Sequence, residues 1–201
     1  MRKKSIVVVI LTLAILMIAT NAFAYSTFPN NYTLNGGVGN YGYNNRAYFV
    51  TSSASGYSTL IGDAISSWDY TTSRLGSNYT TPISIVRTYT QSESVFDLYQ
   101  ITFSGDYNTI AQTNLYLYST LLTPNGQYPS QNWGWSRIDF NSNVMPGLSQ
   151  FNEQGTIAHE LGHGMGLAHV SNTVAIMCQL GYGRTVNLPM QDDCDGINFL
   201  Y

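Results

Sequence analysis

One stretch of eleven residues limits what this chain can become more than any other. It reads His-Glu-Leu-Gly-His-Gly-Met-Gly-Leu-Ala-His from His159 to His169. His159 and His163 stand four apart, so on a helix they project from one face and can hold one metal ion together. Glu160 sits beside them, placed to handle water at that metal rather than to bind it. Gly166 follows three residues after His163, where a helix can stop and the backbone can turn sharply. His169 then returns as a third nitrogen ligand. Three neutral imidazoles and one open position suit a catalytic zinc, whereas a structural site fills all four positions with protein ligands. A lone histidine on an apolar face is ordinarily a core residue. Here the chain has three histidines in all, and all three fall on this pattern.

The pattern H-E-x-x-H-x-x-G-x-x-H is complete at every defined position, and with it the chain resembles a metzincin metallopeptidase, most closely a small bacterial matrixin-like member. Two further segments carry the resemblance. Ala175-Ile176-Met177 is similar to the Met-turn that passes beneath the zinc in that clan. Gln191-Asp192-Asp193-Cys194-Asp195-Gly196-Ile197 is similar to the opening of the matrixin C-terminal helix. A weaker echo is Ala64-Ile65-Ser66-Ser67-Trp68, which resembles the first-helix pattern. The likeness runs from about Arg46 to the end. It implies an α+β fold, with a twisted mixed sheet and two long helices above a cleft, over about 25–166. A small lower part, about 167–201, would hold the Met-turn and a C-terminal helix. By the same resemblance Met177 supports the metal site without ligating, and Tyr182 lines a primed-side specificity pocket.

Residues 1–24 read as a secretory signal rather than part of the fold. Arg2, Lys3 and Lys4 form a basic start, residues 6–19 are apolar except for Thr12, and Ala22-Phe23-Ala24 offers small residues for cleavage. The segment is too short and wrongly flanked for a stable membrane span. Without it, the eight basic residues fall to five arginines against eleven acids, a net charge of −6 over 177 residues. That length suits one domain, residues 25–201. A sparsely charged, acidic surface argues against nucleic acid or an anionic membrane as partner. The expected product is a secreted, extracellular monomer.

Residues 25–45 are rich in Gly, Asn and Tyr without helical period, compatible with a mobile segment, part of a first strand, or a vestigial pro-segment. Residues 47–51 are apolar enough for a strand. Residues 57–73 carry Leu60, Ile61, Ala64, Ile65 and Trp68 at helical spacing, with Trp68 read as a packing residue. Strands are expected at 82–88, 95–103, 110–118 and 137–141, with Ile138 and Phe140 on one face, and a turn at Pro124-Asn125-Gly126. By the resemblance, 110–118 is the edge strand that holds an extended peptide; a strand paired on both sides fits the sequence equally well. Asn152 is the candidate N-cap of the metal helix, with Glu153 complementing the helix dipole.

The chemistry implied is peptide hydrolysis, with zinc polarising the carbonyl and Glu160 moving the proton. The substrate would be a protein or peptide in extended conformation. One zinc per chain is expected, since no histidines remain for a second site; calcium sites are not readable, because no loop has EF-hand spacing. Val170 follows His169 where serine is usual in matrixins. Gln179 stands two residues after Met177, so the tyrosine ligand of related clans is not expected. Cys178 and Cys194 both follow the zinc motif, so neither matches the matrixin cysteine switch. In an exported chain they are expected to pair. In the matrixin arrangement their segments pack together, and a bridge closing a loop of about sixteen residues would contribute about 3 kcal/mol. The competing reading is a non-catalytic secreted binding module that keeps zinc for stability.

Overall fold

A computed structural model describes residues 25–76 and 78–201; the expected signal, residues 1–24, lies outside the described residues. The architecture is α+β. Six strands form one mixed sheet: β1 (Arg46–Val50), β2 (Ile85–Arg87), β3 (Phe96–Ile101), β4 (Ala111–Leu117), β5 (Thr120–Leu121) and β6 (Trp135–Asn141). Their spatial order is β2-β1-β3-β6-β4-β5. The first four neighbours run parallel, and β4 runs antiparallel to both β6 and β5. Ile138 and Phe140 are fully buried, as their alternation requires, and so are Phe96 and Leu98 of β3.

The α-helices among the described residues are α1 (Ser58–Asp69), α2 (Thr71–Leu75), α3 (Gln150–Gly164) and α4 (Gln191–Leu200). The helical period expected over 57–73 is broken at Tyr70, whose backbone (φ −108°, ψ 40°) leaves the helix. Two side chains on either side of the break are committed elsewhere: the Asp69 carboxylate accepts the Ile85 amide at 3.1 Å, and Thr71 donates to Tyr79 O at 2.6 Å. The apolar face of α1 packs against α3, and α3 in turn crosses β4 and β6. Trp68 is fully buried and donates its indole N–H to Ala158 O at 3.0 Å, which fixes α1 against α3 at the residue before His159.

Two expectations about local structure need correction. The N-cap of α3 is Ser149, not Asn152: Ser149 sits in extended conformation and its hydroxyl accepts the Asn152 amide. Asn152 is therefore already inside the first turn, the position a cap serves rather than the cap itself. Residues 25–45 contribute no strand to the sheet, but they are packed. Phe28, Leu34 and Val38 are buried, Thr27 bridges Leu167, and Leu34 bridges Trp133.

The C-terminal end of α3 is closed by side chains from distant parts of the chain. Trp133 Nε1 donates to Gly164 O, and the Tyr201 hydroxyl donates to Met165 O, both at 3.0 Å. Those carbonyls have no partner within the helix, so buried donors must supply one. Gly166 then turns the chain at φ 104°, a conformation that disfavours any residue with a Cβ.

Candidate metal centre

α3 presents His159 and His163 one turn apart, and the turn at Gly166 brings His169 back to meet them. The His163 and His169 Nε2 atoms lie 3.0 Å apart, and those of His169 and His159 lie 3.2 Å apart. The opposite edge of two rings is held by carbonyls: His159 Nδ1 donates to Ile176 O and His163 Nδ1 donates to Leu167 O, both at 2.8 Å. A carbonyl can only accept, so Nδ1 carries the proton and Nε2 is left bare. Burial also disfavours charge. Desolvation lowers His163 and His169 to about 4 and His159 well below its ordinary value. Neutral rings with lone pairs crowded onto one point repel one another unless a cation sits between them. The donor set fits zinc, with three nitrogens and the cleft on the open side.

Glu160 faces this cleft, a cavity of about 550 Å³ lined also by Thr113, Tyr182 and Arg184. Its Oε2 accepts the Thr113 hydroxyl at 2.7 Å, and the same hydroxyl lies 2.9 Å from Glu160 O. Burial pushes the Glu160 carboxyl up to about 7, against the opposing pull of Thr113 and Arg184.

The segment after His169 closes the site from below. Val170 bridges Cys178, and Val170 N donates to Met177 O at 3.2 Å. Met177 is buried with its sulfur against Gly162, where a Cβ would stand 2.3 Å from Sδ; a larger residue at 162 would displace it. Asp193 of α4 accepts the amides of Ile176, Met177 and Met190. The Met-turn and the start of the last helix are thus brought together as the resemblance implies.

The remaining candidates are Tyr182 and the two cysteines. Tyr182 lines the cleft but is 74% exposed, so it stands at the rim rather than in a wall. Cys178 and Cys194 are both buried and both free, and the expected bridge is not formed. Their thiols have different partners: Cys178 Sγ lies 3.6 Å from Gln179 O, while the Cys194 thiol is hydrogen-bonded with Thr71. Burial pushes the Cys194 thiol up to about 12.

Three cleft residues escaped the sequence reading. Thr113 was one polar position in an alternating strand. Arg184 offered a faint signal, as the one basic residue after Arg137. Phe28, in the segment left open above, stacks on the His163 ring at 6.1 Å between centroids.

No curated protein matches this chain. A family model described as Matrixin matches residues 39–201, from just before β1 through α4, and so spans the sheet, the histidines and Asp193. On that match, with three histidines converged as a zinc site requires, the chain belongs to the matrixin family of zinc metalloendopeptidases.

Proposed function

We propose that this protein is a secreted endopeptidase that binds one zinc through His159, His163 and His169 and uses Glu160 as general base and then general acid. The observation that carries the reading is the convergence of three histidine Nε2 atoms beside a buried carboxylate at an open cleft. Zinc held there supplies a Lewis acid that polarises the scissile carbonyl and makes water a better nucleophile. Glu160 accepts the proton of the attacking water at a carboxylate oxygen. It then passes that proton to the amide nitrogen as the C–N bond breaks, releasing an amine and a carboxylic acid. Burial raises its pKa, and a zinc ion beside it would pull the other way, toward the ionised form that accepts a proton. Thr113 holds the carboxylate in the cleft, and Met177 packs beneath the helix turn that bears both histidines.

The substrate is read as an extended peptide lying along β4. Even-numbered residues of β4 bond to β6, as Asn141 N to Ile110 O does at 2.9 Å. The odd-numbered ones turn their backbone groups the other way. Those of Leu115 are taken up by Leu122 N and Thr123 Oγ1, while Ala111 and Thr113 line the cleft. An added strand can bond there. Export is supported by the basic start and apolar stretch of residues 2–19, and no helix among the described residues is long and apolar enough to cross a membrane.

Metal analysis of purified protein, paired with digestion of an unfolded generic protein with and without a chelator, tests this. The expected result is one zinc per chain and cleavage that the chelator abolishes and zinc restores. Stoichiometric zinc without cleavage would leave a zinc-stabilised binding module instead.

A further inference from the structure

Arg184 lines the cleft together with Leu115, Thr123, Thr156 and Leu180. It is 6% exposed. Its Nε is buried with no hydrogen-bond partner, and its one bond, Nη2 to Thr156 Oγ1, is long at 3.4 Å. The guanidinium rests on Gly155, where a Cβ would stand 2.9 Å from Nη2, so the helix surface has made room for it. No carboxylate pairs with it: the ion pair among the described residues is Arg137–Asp139. Glu160 and Asp193 are near enough to act on it electrostatically. Both are otherwise engaged, Glu160 with Thr113 and Asp193 with three backbone amides.

A buried guanidinium is costly unless a partner faces it, and its planar fork of donors matches a carboxylate. Here the fork is desolvated, nearly unbonded and open to the cleft. The partner it lacks within the chain is therefore one that a ligand can bring. The bond to Thr156 identifies which part of the ligand. Glu160 must deliver its proton to the leaving amine, so the C-terminal half of the substrate lies on the Glu160 side. Thr156 stands one turn before Glu160 on α3, and its contact with Arg184 puts the guanidinium on that side.

Resting on the peptidase reading above, we infer that Arg184 selects substrates that place a carboxylate on the residue immediately C-terminal to the scissile bond. That carboxylate can come from an Asp or Glu side chain or from a free chain end, and the two sources are separable. Leu115 and Leu180 would cover the aliphatic stem, while the guanidinium takes the charged end.

The test uses zinc-loaded wild-type protein and four peptides alike except after the cleaved bond. Two carry Glu or Gln there within an amidated peptide; two end there in Leu, as free acid or amide. Expected is a kcat/KM at least about tenfold higher for one acid over its neutral isostere. The Glu pair reporting it assigns a side-chain carboxylate; the Leu pair assigns the chain end. In Arg184→Gln the ratio should fall to about one, and Arg184→Lys should recover part of it. Binding of the same peptides to Glu160→Gln, read by calorimetry, should show the same order without turnover. If Arg184→Gln does not fold, the wild-type ratios alone decide. Equal ratios near one in both pairs, from an enzyme that cleaves all four peptides, would overturn the inference and leave the peptidase reading standing. Cleavage of none by zinc-loaded protein would overturn both.

Discussion

The Thr113 hydroxyl donates to Glu160 Oε2 at 2.7 Å, joining the strand that borders the cleft to the carboxylate that faces it. The bond holds the side chain and also favours its ionised form, against the burial that pushes its pKa up to about 7. Thr113→Val keeps the shape and removes the bond. A hydrogen bond to a charged group contributes about 1.5–3 kcal/mol, so kcat is expected to fall by about tenfold or more with zinc content and KM little changed. Steady-state kinetics on zinc-quantified protein checks this; an unchanged kcat would leave Thr113 with no part in positioning.

Removing Glu160 and removing a histidine should fail in different ways. Glu160→Ala is expected to keep zinc and fold while losing about 10²-fold or more in turnover, since a base goes and no ligand does. His163→Ala should lose the metal. Elemental analysis beside activity separates the two, and substantial turnover by zinc-loaded Glu160→Ala would remove the assigned role.

The pH dependence of stability offers a check away from the metal. Burial lifts Asp69 from 3.8 to about 6, against the opposing Ile85 amide. The folded state therefore holds this proton more tightly than the unfolded one. The stability it contributes is complete below 3.8 and is lost as pH rises through 6. Asp69→Asn keeps an acceptor for the Ile85 amide and removes the titration. Relative to wild type, its urea midpoint should rise between about pH 4.5 and about pH 7. A difference that does not change with pH would contradict the shift.

The cysteines give a chemical test of the core. Cys178 and Cys194 are free and buried, so an alkylating reagent should leave both untouched in folded protein and modify both after unfolding without reductant. Unfolded, unreduced protein that takes up no reagent would show them bridged.

What could be read from sequence followed from how local the causes are. The three ligands were legible because a metal demands their spacing, and Gly166 because the turn to φ 104° demands glycine. Strand positions followed from alternation, as Ile138 and Phe140 show. The α3 cap was misplaced because Ser149 and Asn152 both offer capping oxygens, and only the backbone conformation decides between them. Thr113 and Arg184 were not legible as site residues. Thr113 meets Glu160 across 47 residues, through a register that no local pattern encodes. Cys178 and Cys194 are close in sequence and in adjacent segments, but a count of residues does not say which way a thiol points.

The Tyr201 hydroxyl has a consequence for assembly. It donates to Met165 O and accepts the Leu34 amide at 2.9 Å, a contact across 167 residues. The helix end from which the chain turns toward His169 is thus locked by groups from opposite extremes of the sequence. Contacts of such long range form late and slowly. A nascent chain that has emerged through His163 can present two imidazoles on a helix. The turn that brings back the third is clasped only once Tyr201 has packed against that helix end. The metal centre is thereby tied to the docking of Tyr201, and Tyr201→Phe would lose the clasp that steadies the turn to its last ligand.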